Sequence, residues 1–270
     1  VARETDWQRR VRQSLEALRL AGIEWLPEAR AVVPRADFGP NPPKADEPVP
    51  TRKNATSPAH EPVMAVTPEQ RRLELVQLAQ AVAKCARCPE LCSTRTQTVF
   101  GVGPIDVDLC CVGEAPGADE DRLGEPFVGA AGQLLTRILA ASGFDRSEVY
   151  ICNILKCRPP GNRTPKDDEA SNCREYLDRQ LALVRPKYIV AFGGTAAQNL
   201  LATKKPMAQL RGQFHKYNGI PVMVTYHPAY LLPHRQPAKK KEVWDDMKTL
   251  VRAMGRELPP PPPSSGTTAG

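Results

Sequence analysis

The sequence predicts an α/β fold: a three-layer α/β/α domain around a central, mainly parallel four-stranded sheet. Three observations carry that expectation. Short apolar, β-branched runs alternate four times with stretches of helical periodicity. The connections between successive runs are long enough to be the crossovers that parallel strands require. Gly, Pro or charged turns bound each run. At 270 residues, 41% hydrophobic and 25% charged, the composition is globular, and no apolar run approaches the roughly 18–20 residues of a membrane span.

In chain order, residues 1–26 open with an amphipathic helix over 3–20, where Trp7, Val11, Leu15 and Leu18 recur at spacings of three and four. It is a candidate docking element for a protein partner. Residues 27–68 hold ten prolines in 42 positions and read as a linker too poor in periodic apolar residues to fold alone. The main domain spans 69–257. A helix over 69–84 comes first, then strands over 107–113, 149–155, 187–193 and 220–226. Helices over 129–143, 165–184 and 195–202 separate the strands, and Thr164 and Pro165 are residue types suited to opening the helix over 165–184. A last helix carries Val243, Met247, Leu250, Val251 and Met254 on one face. Residues 258–270, five prolines followed by Ser, Gly and Thr, read as a disordered tail.

The net charge of +7 sits mostly in residues 69–258, with 27 basic against 21 acidic side chains. That balance favours a polyanionic partner such as nucleic acid, although a solvated basic surface gives the same count. Eight cysteines and no export signal point to the reducing cytoplasm, where thiols ligate metal rather than pair.

Cys85 and Cys88 form a CxxC at the end of the first helix. A redox CxxC normally follows a strand and opens a helix, the reverse order. No second CxxC completes a zinc ribbon, which leaves Cys157, just after a strand, and Cys173, about two turns into a helix. Four thiolates from three segments could close one site. Cys110, Cys111 and Cys152 fall inside strands and read as small buried hydrophobes, while Cys92 stays a substitute candidate.

In sheets of this kind, ligands bind at the carboxyl ends of the strands. After the first strand comes Gly113-Glu114-Ala115-Pro116-Gly117, then Glu120, then Gly124-Glu125-Pro126-Phe127-Val128-Gly129 and a helix. The glycines allow close backbone approach to a ligand, and Phe127 in a polar loop suggests a stacking surface. An acidic surface turn is the plainer alternative. The second strand delivers Asn153, whose amide needs partners from a ligand or from the protein. The fourth ends in Tyr226-His227-Pro228-Ala229-Tyr230-Leu231-Leu232, with His227 at the same expected edge.

Together these motifs, with Lys156-Cys157-Arg158-Pro159-Pro160 after Asn153, resemble the family 4 uracil-DNA glycosylases, the iron–sulfur members of their superfamily. The resemblance covers about residues 75–254. It implies base excision repair: uracil is flipped out of single- or double-stranded DNA and its N-glycosidic bond is hydrolysed, leaving an abasic site. It further implies that Cys85, Cys88, Cys157 and Cys173 hold a structural [4Fe-4S] cluster. By similarity, Phe127 stacks on the flipped base, Asn153 reads its Watson–Crick edge beside Ala115, and His227 stabilises the leaving uracil. Glu114 and Glu120 are candidates for orienting the water.

Arg158, Arg163, Arg235 and Lys239 are expected at phosphates, and Leu231 and Leu232 as the wedge filling the gap left by the base. A monomer on DNA is expected, in the cytoplasm and associated with the nucleoid of a prokaryotic cell. Two departures stand out: Ala229 and Pro233 replace a Ser and an Arg of the usual last motif, and the Pro-rich segment before residue 69 has no counterpart in minimal members of the family. No His occurs in residues 158–172, against a relative that traps DNA covalently from that loop. A non-catalytic iron–sulfur DNA-binding module of the same fold is the main alternative, and a zinc-stabilised nucleotide-binding protein the third.

Overall fold

The computed structural model describes residues 66–260. The helix read over 3–20, the linker up to residue 65 and the tail beyond residue 260 lie outside the described residues. The domain begins with α1 (Pro68–Ala83), capped by Thr67, whose hydroxyl accepts from the Gln70 backbone N–H while the Gln70 side chain returns the bond to Thr67. A short α2 (Pro89–Thr94) follows.

The sheet contains β1 (Leu109–Gly113), β2 (Tyr150–Asn153), β3 (Tyr188–Phe192), β4 (Phe214–Tyr217) and β5 (Ile220–Thr225), in the order β2-β1-β3-β5-β4. The first three pairings are parallel and β4 runs antiparallel to β5. The sheet therefore has five strands, not four. The additional one, Phe-His-Lys-Tyr, is short and largely polar and joins β5 through Asn218-Gly219, both at positive φ. Asn-Gly between two short runs is a hairpin signal, and it was there to be read.

Helices α3 (Ala118–Leu123), α4 (Ala130–Ala141), α5 (Asp167–Val184), α6 (Gly194–Leu200), α7 (Met207–Leu210) and α8 (Lys240–Ala253) complete the described α-helices, and short 3-10 turns lie between the elements. Successive side chains of a strand point to opposite faces, and the core divides accordingly. Cys110, Val112, Tyr150, Cys152, Ile189, Ala191, Val222 and Val224 pack with Leu177, Leu181 and Ala197 on one side. Leu109, Cys111, Ile151, Val190, Phe192 and Met223 pack with Leu135, Leu139, Met247 and Leu250 on the other. Helix α5 begins at Asp167, two residues later than expected, because the Glu169 carboxylate accepts from the Lys166 backbone N–H and caps the helix there.

Buried charge fixes the last helix to the sheet. Asp246 of α8, 3% exposed, accepts from the Thr225 hydroxyl at 2.6 Å, and its two oxygens both accept from Arg211 Nη2, at 2.9 and 3.0 Å. Arg211 also pairs with Glu242 at 2.9 Å, so removing Asp246 chiefly leaves the buried Thr225 hydroxyl without its acceptor. Asp246→Ala is expected to cost about 2 kcal/mol of stability, measured as a lowered denaturation midpoint; a midpoint within error of the parent would show the contact to be dispensable.

Candidate active site

The strand order turns in opposite directions from β1, to β2 on one side and β3 on the other, which opens a crevice at their carboxyl ends. A cavity of about 730 Å³ lies there, lined by the loop after β1, Asn153, Gly193, Tyr226 and His227.

The loop between β1 and α4 is held shut by Glu120. Its carboxylate accepts from the Gly117 backbone N–H at 3.0 Å, and from those of Val128 and Gly129 at 2.9 and 3.0 Å. Arg146 donates to the Pro126 carbonyl at 2.7 Å from outside. Between these clamps Phe127 sits at φ +54°, a conformation a bulky residue adopts only when its surroundings enforce it. Gly132 is part of that enforcement, because a Cβ there would lie 1.8 Å from the Phe127 carbonyl oxygen. The Phe127 ring, 5% exposed, stacks against the His227 ring with centroids 5.4 Å apart.

Asn153, at the end of β2, is paired in register with Gly113. A Cβ on Gly113 would lie 2.4 Å from the Asn153 Oδ1 and 2.6 Å from the Phe127 Cζ, so only glycine lets the amide and the ring converge. Asn153 is 2% exposed, and its Oδ1 has no hydrogen-bond partner. A buried acceptor left open at a cavity marks where a donor on a ligand belongs.

His227 follows β5 and faces Gly193, whose missing Cβ leaves it room. Its Nδ1 accepts from the Ala229 backbone N–H at 3.1 Å, so the neutral ring carries its proton on Nε2. Burial pushes its pKa down to about 4; Glu120 pulls the other way and Arg235 adds to the fall. Glu114 lines the same cavity with its carboxyl raised by burial, against which the Thr195 hydroxyl acts. Thr195 carried no sequence signal of its own; only the fold brings it beside Glu114. Ala115 lines the cavity as well.

Several sequence expectations need correction. Glu120 lines the cavity but spends its carboxylate on the loop's own backbone. Arg163 is committed to ion pairs with Glu169 at 2.6 Å and Glu90 at 3.0 Å. Leu231 is 1% exposed and belongs to the core, where it cannot act as a wedge, whereas Leu232 is only partly buried. Arg235 lines the cavity mouth, Arg158 donates to Asn162 Oδ1 at 2.7 Å, and Lys239 pairs with Glu242 at 2.5 Å while lying 5.9 Å from the Tyr226 ring centre.

The cysteines fall in several separate surroundings. Cys110, Cys111 and Cys152 are fully buried in the strands. Cys92 donates to the Cys85 carbonyl at 3.3 Å. Cys88, Cys157 and Cys173 share one small cluster with Leu91, Leu155 and Ala115, and Cys85 packs beside Val82 and Tyr176. Among the described residues, no three His, Cys, Asp or Glu side chains converge to grip a single metal ion. A cluster presents a separate iron to each thiolate, so its ligands need not meet at one point. The donors around the sulfurs suit thiolates: Arg95 donates to Cys157 Sγ at 2.9 Å and Asn172 to Cys88 Sγ at 3.5 Å.

Residues 100–248 match the family model described as the uracil DNA glycosylase superfamily. The chain is 42% identical to the type-4 uracil-DNA glycosylase of Thermotoga maritima over 189 residues, 69% of this chain and 98% of that one. It is 40% identical to the type-4 enzyme of Archaeoglobus fulgidus over 193 residues, 68% of this chain and 96% of that one. With that of Pyrobaculum aerophilum it shares 39% identity over 183 residues, 65% of this chain and 92% of the relative. The chain belongs to the uracil DNA glycosylase superfamily.

Proposed function

We infer that this protein is a uracil-DNA glycosylase of base excision repair, which extrudes uracil from DNA and hydrolyses its N-glycosidic bond. The observation that carries the reading is the open, buried Oδ1 of Asn153 at the cavity. Uracil supplies the missing donor through N3–H, while the amide's Nδ2 donates to O4. Cytosine, with an unprotonated N3 and an amine at C4, reverses both contacts and leaves buried groups unpaired. Phe127 supplies a stacking surface beside that edge.

As the bond breaks, negative charge develops on the departing base. The His227 Nε2–H donates to it from a neutral ring, a role supported by the Ala229 N–H on Nδ1 and by the burial that lowers the pKa, so it stabilises charge by a hydrogen bond without needing to lose a proton. The sugar becomes oxocarbenium-like. Glu114 is the carboxylate that orients the attacking water, since Glu120 is engaged with the loop backbone. Arg158, Arg235 and Lys239 contact phosphates around the mouth, and Leu232 fills the gap in the stack. DNA, single- or double-stranded, is the partner, and one chain suffices. No described helix is long and apolar enough to cross a membrane, and the reading places the enzyme with the DNA it repairs.

Cys85, Cys88, Cys157 and Cys173 would hold a [4Fe-4S] cluster, which when bound supplies a structural cross-link and no redox step in base removal. It would tie the segment between α1 and α2 to the loop after β2 and to α5. The donors from Arg95 and Asn172 support this assignment.

Incubation with an oligonucleotide carrying one uracil, followed by hot alkali, is expected to give cleavage at that position alone. Release should slow by about 100-fold in His227→Gln, with the pH profile keeping its shape. A wild-type step near pH 6.5 that vanishes in the variant would overturn the neutral-histidine role. No cleavage of single strands, U:A or U:G would favour the non-catalytic DNA-binding module. The purified protein is expected to contain about four iron atoms per chain, lost together with thermal stability in Cys173→Ala and retained in Cys111→Ala. An iron-free chain of equal stability would contradict the cluster. Gly113→Ala is expected to slow uracil release more than about 100-fold in a folded, DNA-binding protein; a parental rate would show that the close approach at Gly113 is not needed.

A further inference from the structure

One buried titratable side chain takes no part in the chemistry above. Lys156 is fully buried, at 0% exposure, and burial lowers its pKa. Its Nζ donates to the Asn153 main-chain carbonyl at 2.8 Å and to Gln180 Oε1 at 2.6 Å. Gln180, also fully buried, is held in turn by donating to the Phe100 carbonyl at 2.9 Å and to the Tyr150 hydroxyl at 2.8 Å. Gly101 makes room for it, since a Cβ there would lie 2.9 Å from Gln180 Nε2.

A buried ammonium is tolerated only where acceptors surround it, and an apolar side chain would fill the space at less desolvation cost. Here one acceptor is the backbone carbonyl of the residue whose side-chain oxygen stands open at the cavity. We propose that Lys156 is a positioning residue for base recognition, holding the peptide that follows Asn153 so that its amide faces the cavity before the base arrives. The proposal deepens the uracil reading of that cavity and rests on it. Asn153 ends β2, where the N–H of the peptide that follows it donates to the Gly113 carbonyl at 3.0 Å, and Lys156, seated against Gln180 of α5, holds the carbonyl of that same peptide from the other side. A pre-set amide adds selectivity because no reorganisation accompanies binding.

The test is a double-mutant cycle on single-turnover uracil release from full-length protein, with Lys156→Met, Asn153→Ala and both together. Lys156→Met is expected to slow release about 10- to 100-fold while changing affinity for abasic-site DNA by less than about twofold. In the Asn153→Ala background the same substitution should change the rate by less than about twofold. Rates that fall by the product of the single effects would overturn the proposal, because a merely structural Lys156 harms both backgrounds alike. If Lys156→Met does not fold, Gln180→Met removes the ammonium's second acceptor and is run through the same cycle, with the same two outcomes. Uracil release by the wild type in the same series separates this question from the enzyme reading itself.

Discussion

A single carboxylate shapes the floor of the cavity. Glu120 accepts from backbone groups at both ends of the loop that leaves β1, which draws Gly117 toward Val128 and Gly129 across the intervening residues. A carboxylate satisfied by three N–H groups is a strong local tie. It holds Phe127 in the left-handed region, and Phe127 in turn gives His227 a ring to pack against. Remove the tie and the strained residue has little reason to stay where it is.

The sheet contributes by ending its strands in the right places. Gly113 and Asn153 finish β1 and β2 side by side. Gly193 finishes β3 under His227, and its backbone N–H donates to the Thr225 carbonyl at 2.8 Å. Two of these ends are braced by buried charge: Lys156 behind Asn153, and Asp246 with Arg211 behind Thr225. Both braces reach across to helices, α5 in one case and α8 in the other, so each recognition residue is anchored to an opposite layer. The chain that carries Lys156 continues directly into Cys157, which places the cysteine segment and β2 on one continuous stretch.

Much of this was legible in the residues. The alternation of apolar runs and helical spacing located the four parallel strands, since burial on both faces leaves near-continuous hydrophobic sequence. The β4 hairpin escaped because Phe-His-Lys-Tyr is short and mostly exposed, so its apolar content carries no signal. Asn153, His227 and Phe127 were nameable because a polar or aromatic residue breaks the local pattern. What those residues touch was not. Arg163 and a phosphate-binding arginine look alike in sequence, and only the fold shows Glu169 and Glu90 beside it. Leu231 and Leu232 are adjacent and chemically identical, and which one faces the core depends on the short 3-10 turn at Pro228–Leu231. Glu120 and Glu114 differ by which backbone groups lie within reach, a property of the loop's closure.

The electrostatic layout follows from where water is excluded. At the floor, the recognition groups are an amide, a histidine that burial keeps neutral and a carboxyl that burial raises. Full charges on residues such as Arg235 and Lys239 stay at the mouth, where solvent screens them and where phosphates would lie. A neutral donor in a low-dielectric site attracts little in the resting state and more as negative charge grows on the base. A permanent cation at the floor would instead bind any buried anion and would itself demand a counter-charge. In the proposed reaction this arrangement would favour the breaking bond over the intact one, which is the condition for accelerating the step.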